Sequence, residues 1–285
     1  MQRIMSLPPE AGPPPALRFR RSLRPTTVGR ELWRARSLVG ALARREFLIR
    51  YKQAVLGVAW AVLSPLVLMA LFTLVFQKIA RVDTGDVPYP LFAFLGLLPW
   101  TFFSLAVVHG GQSLLINAPL VRKVYSPREV YPIASILVAG IDSLISLSGL
   151  AAVFVVTGYA PRATAVWVPL LFLIQLLFVV GVVLVLSSVI VFVRDVRHAL
   201  PLALQLGIFA TPVAYGVEAM PERFRWLYAA ANPLVAVIDG YRRTILFGRP
   251  PAWGLVVPGS VTALLVFAGG YVIFKRLETV VADAV

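Results

Sequence analysis

The 285 residues include no cysteine and only two histidines, His109 and His198. A disulfide framework, a thiolate metal site, an iron–sulfur cluster and a cysteine nucleophile are excluded, and little remains for an imidazole metal site. Acids are scarce as well, 13 Asp and Glu against 27 Lys and Arg, for a net charge of +14. All charged residues together make up 14% of the chain, against about 25% in an ordinary soluble domain. What fills their place is apolar: 59% of residues are hydrophobic and the mean hydropathy is +0.83, which excludes a soluble protein.

The apolar residues come in runs. Gln53 to Gln77 is 25 residues without a charge, and about 20 helical residues cross a hydrocarbon core of about 30 Å. Pro88, Pro90 and Pro119 trim the next run, and Val130 to Pro161 carries one charge, Asp142. Six transmembrane helices are expected, at about 54–77, 91–116, 131–157, 166–192, 199–215 and 253–274. The fold class is an all-α integral membrane protein, because a helix satisfies its own backbone in lipid and the alternation of a barrel is missing.

The basic residues set the orientation. With the N-terminus inside, the inner segments hold nineteen Lys and Arg and the outer segments eight, which places both termini in the cytoplasm. The basic excess is thereby a topology signal, and no nucleic-acid partner is expected.

Residues 1–28, with six prolines and Arg18, Arg20, Arg21 and Arg24, are expected to be a disordered basic tail and not a cleaved signal. Residues 29–52 predict an amphipathic interfacial helix. Leu32, Ala35, Val39, Leu42 and Ile49 share its apolar face, and Arg34, Arg44, Arg45, Arg50 and Lys52 face lipid head groups. A solvated linker helix is the alternative. Glu46 interrupts the apolar stripe, with Arg50 one turn on as its partner. The membrane domain then covers 53–275, and 276–285 form a cytoplasmic tail.

Two short inner loops follow. Leu120, Val121, Arg122, Lys123, Val124, Tyr125, Ser126, Pro127, Arg128 and Glu129 make an amphipathic segment bracketed by prolines. It suits docking into a groove on a soluble partner, although ordinary basic loops look similar. Arg194, Asp195 and Arg197 form the second loop.

Taken together, these segments resemble a family. Arg50-Tyr51-Lys52-Gln53 with Leu56-Gly57 and Trp60, then Gly96-Leu97-Leu98-Pro99-Trp100, then Leu120 through Glu129, then Arg194-Asp195-Val196, resemble the permeases of ABC-2 exporters of cell-surface polysaccharides. The likeness covers about residues 30 to 275 and is strongest to the O-antigen kind. It implies a second copy of the chain, two ABC ATPase subunits, and a lipid-linked polysaccharide carried on undecaprenyl diphosphate. Leu120 to Glu129 would couple to the ATPase, with Arg194, Asp195 and Arg197 a secondary contact. No G-x-x-x-x-G-K-[ST] phosphate loop occurs, so ATP and Mg belong to the partner and this chain needs no cofactor of its own.

Aromatic residues crowd the outer half. Phe72, Phe76, Phe92, Phe94, Trp100, Tyr215 and Tyr241, with the intramembrane Asp142, are candidates for contact with the glycan, an interfacial belt being the alternative for the aromatics. Asp142 reads as polar packing or pore lining. Glu218 to Gly248 is too mixed for a simple loop, and short re-entrant helices are expected there between the fifth and sixth spans. No base or nucleophile stands in register with Asp142 or His109, so no catalytic residue and no metal site is expected. A secondary transporter would carry repeats and more intramembrane ionisable groups. A membrane-embedded glycan-processing enzyme or another ABC-2 exporter is the remaining alternative.

Overall fold

The computed structural model describes residues 33–284 apart from Gln53, Asp83, Val124 and Tyr125. The 1–28 tail and the two apolar residues at the centre of the first inner loop thus lie outside the described residues. Among the described residues all regular structure is helical: α1 Arg36–Tyr51, α2 Gly57–Ile79, α3 Tyr89–Ile116, α4 Ala118–Lys123, α5 Val130–Thr157, α6 Ala163–Phe192, α7 Val196–Ala210, α8 Glu222–Ala231, α9 Pro233–Ile245 and α10 Trp253–Ala284.

Five of these, α2, α3, α5, α6 and α10, are long and apolar enough to cross a membrane. The expected fifth span is instead α7, whose 15 residues reach only about 22 Å. Three other boundaries differ from expectation. Pro90 does not trim α3, because it sits in the first turn, where its missing N–H has no partner to lose. Gly57 opens α2 with φ +49, a left-handed conformation that glycine adopts without strain. And α10 does not stop before Lys275 but continues to Ala284, because Lys275 is neutralised where it stands, by Glu129 and Glu278.

The bundle is built around α3. Its apolar stretch is 72% buried, against 11% for α2 and 22% for α10. α5 and α6 flank it, and α10 packs along α6. The largest core cluster joins Tyr89 through Leu97 of α3 to Leu150 of α5 and Leu234 and Ile238 of α9. The exposed apolar faces lie on α2, α5 and α10, at Val67, Leu144 and Leu265 for example.

α8 and α9 form a hairpin folded back into one end of this bundle. Thr262 of α10 donates a 2.8 Å hydrogen bond to the Ala230 carbonyl beside the hairpin apex. That apex therefore lies nine residues beyond Trp253, about 14 Å into the bundle. Asn232 caps α9 by accepting from Leu234 N, and Pro233 takes the first helical position. From there α9 climbs back, and its C-terminal carbonyls at Thr244 and Leu246 accept from Thr164 and Tyr159. Two short helices, α8 and α9, thus stand within Glu218 to Gly248, the stretch where short helices are expected.

Candidate functional site

At the end of the bundle that gathers α1, α4 and the start of α5, charged side chains turn inward. The inward stripe of α1 begins with Val39 and Ala43 and continues one and two turns later with Glu46 and Arg50. Glu46 accepts from Ser135 Oγ at 2.8 Å and lies 3.4 Å from Arg50. Arg50 also pairs with Asp142, and Tyr51 Oη donates to the other carboxylate oxygen at 2.8 Å.

Two expectations are corrected here. Arg50 does not face head groups with Arg34, Arg44, Arg45 and Lys52, which are exposed. Ile49 is 68% exposed and stands outside the buried face. Both errors have one cause: Glu46 looked like an interruption of the stripe and is part of it, because α5 offers it a serine.

Asp142 itself is 3% exposed. A carboxylate at that depth persists only when paired, and here α1 supplies both partners. Desolvation, followed by the hydrogen bond to Asp142, pushes the Tyr51 phenol up to about 12, so it stays a donor. Beside this knot opens a cavity of about 390 Å³ whose wall carries Trp60, Ser64, Thr101, Ser104, Ser143 and Ser146. His109 lies in a neighbouring cavity with Arg45, Glu46 and Arg50.

Of the first inner loop, Leu120 and Arg122 lie on α4 with Lys123 at its end, Leu120 half-buried and Arg122 exposed. Pro127 and Arg128 are half-buried. Glu129 is buried, and Lys275 of α10 pairs with it. It is therefore tied to the last helix rather than open to a partner. Arg194 and Asp195 are exposed, and Arg197 donates to His198 at 3.0 Å.

At the opposite end the organising group is Arg242 on α9, which sequence reasoning counted only as a loop charge. Its guanidinium donates to the carbonyls of Phe92, Pro212, Val213 and Tyr215 and lies 3.5 Å over the Phe92 ring. A Cβ on Gly96 would come within 2.5 Å of it, which is why the Gly96-Leu97-Leu98-Pro99 segment begins with glycine.

The aromatic candidates are placed unequally. Phe94 has no exposed surface and Phe72, Phe92 and Trp100 share its core cluster, with Phe76 packed against it. In this chain Phe94 is therefore core packing, and the expectation that it lines a glycan path is corrected. Tyr241 is buried among α6, α9 and α10 residues. Tyr215 is partly open and donates to the Phe209 carbonyl at 2.9 Å.

Comparison with known proteins decides what this arrangement belongs to. The ABC-2 type transporter family matches residues 37–246, from α1 to the end of α9. This chain belongs to the ABC-2 transporter family. The O-antigen export system permease protein RfbA of Myxococcus xanthus is 31% identical over 251 residues, covering 87% of this chain and 96% of that protein. The RfbA protein of the same description from Klebsiella pneumoniae is 28% identical over 212 residues, 74% of this chain and 81% of the relative. The polysialic acid transport protein KpsM of Escherichia coli is 25% identical over 223 residues, with the same two coverages. An ABC-2 chain with several membrane-length helices is a multi-pass protein of a bacterial inner membrane and a transport subunit. For such a subunit, the knot at Asp142 joins the pre-membrane helix to the bundle, and Glu129–Lys275 joins the first inner loop to the last helix.

Proposed function

We propose that this chain is the channel-forming permease subunit of an ABC exporter that moves a lipid-linked polysaccharide, of the O-antigen kind, across the inner membrane. The observation that carries the reading is the likeness to RfbA, which extends over 96% of that relative and takes in both inner loops. The chain contains no phosphate loop, so ATP and Mg are handled by a separate ATPase subunit. Two copies of the chain with two ATPase subunits form the exporter, and undecaprenyl diphosphate is the carrier.

In this reading α7 and the turn at 211–216 make the fifth of six crossings, short because the α8–α9 hairpin re-enters from the outer face to meet it. Both termini lie inside. Arg34, Arg44, Arg45 and Lys52 meet anionic head groups, while Arg50 holds α1 to α5. Leu120 to Pro127 seats in the ATPase, and Glu129–Lys275 passes its movement to α10. Because α10 also carries the hairpin apex through Thr262, one rigid helix links the inner coupling segment to the outer hairpin. The hydroxyl-lined cavity beside Asp142 and Trp60 offers the polar surface that a glycan needs at membrane depth.

Deleting the gene tests the reading. Surface polysaccharide should disappear, intact lipid-linked polymer should accumulate inside, and the wild-type gene should restore export. Normal surface polysaccharide in the deletion strain overturns it.

A further inference from the structure

A cavity of about 280 Å³ opens at the hairpin end, between the 84–85 turn, the Gly216–Glu218 turn and α9. Asp239 lines it at 8% exposure, and no described residue hydrogen-bonds to or ion-pairs with its carboxylate. Burial pushes Asp239 up to about 6, which measures how poorly the site solvates it. Glu218, Arg243, Arg249, Phe92 and Phe247 line the same cavity, and Arg243 donates its Nε–H to the Pro250 carbonyl, leaving its two terminal nitrogens. Arg242 lines the cavity too, with four of its five guanidinium N–H groups taken by backbone carbonyls.

The mixture of groups narrows the ligand. A metal ion would need more acids than two: among the described residues no group of three Asp, Glu or His stands together, and the guanidiniums repel it. A phosphate would meet two carboxylates. An apolar molecule would leave Asp239 as unpaired as before. A sugar ring satisfies every group: its hydroxyls donate to carboxylates and accept from guanidiniums, and its C–H face packs on an aromatic ring. The volume suits one ring, being just under the roughly 300 Å³ at which drug-sized sites begin.

We infer that this cavity binds one neutral sugar residue of the exported glycan, with Asp239 as hydroxyl acceptor, Arg243 and Arg249 as donors and Phe247 as platform. The inference rests on the permease reading and extends it, giving the outer end a site that recognises hydroxyl patterns where the polymer leaves the bundle.

The test uses the permease with its ATPase in lipid nanodiscs and, as probe, oligosaccharides cut from the host's own surface polysaccharide. Binding is read by saturation-transfer NMR and titration. Wild type should bind, Asp239→Asn should weaken binding about tenfold or more, and Phe247→Ala, at an exposed position, should weaken it several-fold. Affinity unchanged in both variants, or no transfer to the probe in the wild type, overturns the pocket. Export scored in parallel in the deletion strain separates the two ideas: restoration by the wild-type gene upholds the permease reading whatever the binding result.

Discussion

Tyr51 donates a 2.8 Å hydrogen bond to Asp142, which lies 91 residues further along the chain. With Arg50 on the same carboxylate, this contact fastens the pre-membrane helix to the middle of a long helix. It gives the Arg50-Tyr51 pair of the first motif a physical reason: an intramembrane acid requires a cation and a donor, and α1 ends by delivering both.

Removing one member of a buried pair strands the other, at a cost of about 3–5 kcal/mol. Arg50→Ala and Asp142→Ala are each expected to lower the stability of the purified protein by that order. The apolar double variant Arg50→Met/Asp142→Leu should lie closer to wild type than either single change. Denaturant titration in detergent reads all three, and a double variant as damaged as the sum of the singles would show that the two residues are not coupled.

Arg242 is the comparable group at the hairpin end. Replacing it with Ala leaves four carbonyls without their donor, so α9 should loosen and protease cleavage in 211–231 should rise. Lys carries one ammonium and cannot reproduce the fork, so Arg242→Lys should fall between wild type and Ala. Equal protease resistance in all three would remove Arg242 from its organising role.

The Asp239 carboxylate has an ordinary value of 3.8, raised to about 6 in the fold by burial, with Arg243 opposing. A group raised in this way contributes most to stability below its unfolded value, and the contribution is lost as pH rises through the folded one. Wild type should lose up to about 3 kcal/mol relative to Asp239→Asn between about pH 4 and pH 7. The variant should therefore be the more stable protein near neutrality, although the weaker sugar binder. Thermal unfolding of both proteins across that range checks this, and parallel curves would contradict it.

Coupling to the ATPase should depend on apolar anchors more than on rim charges, which salt screens. Tyr125→Ala is expected to weaken co-purification of the ATPase more than Lys123→Ala, with the chain still inserted and folded. If Val124→Ser/Tyr125→Ser leaves assembly and export unchanged, the segment is an ordinary loop.

The long helices were legible because each contains a run of apolar residues with at most one charge, Asp142 in α5, and that is the property lipid demands of a span. The two inner loops and the glycine of Gly96 were legible as motifs, but their contacts were not. Glu46 read as a flaw in an apolar face because its partner, Ser135, is 89 residues away, and periodicity is blind to that distance. Arg242 read as a loop cation for a similar reason, since its acceptors are carbonyls of two segments with no sequence signature. The fifth span reads as reaching 215 because 211–215 is apolar enough to extend it, whereas the carbonyls of Pro212, Val213 and Tyr215 are turned toward Arg242.

The central claim is tested most directly by reconstitution. Proteoliposomes carrying this chain, its cognate ATPase and the host's lipid-linked polysaccharide should move the polymer across the bilayer only when ATP is supplied on the ATPase side, and vesicles lacking either protein should move none. Polymer crossing with ATP and the ATPase but without this chain, or no crossing with both proteins present and ATP being hydrolysed, would contradict the account.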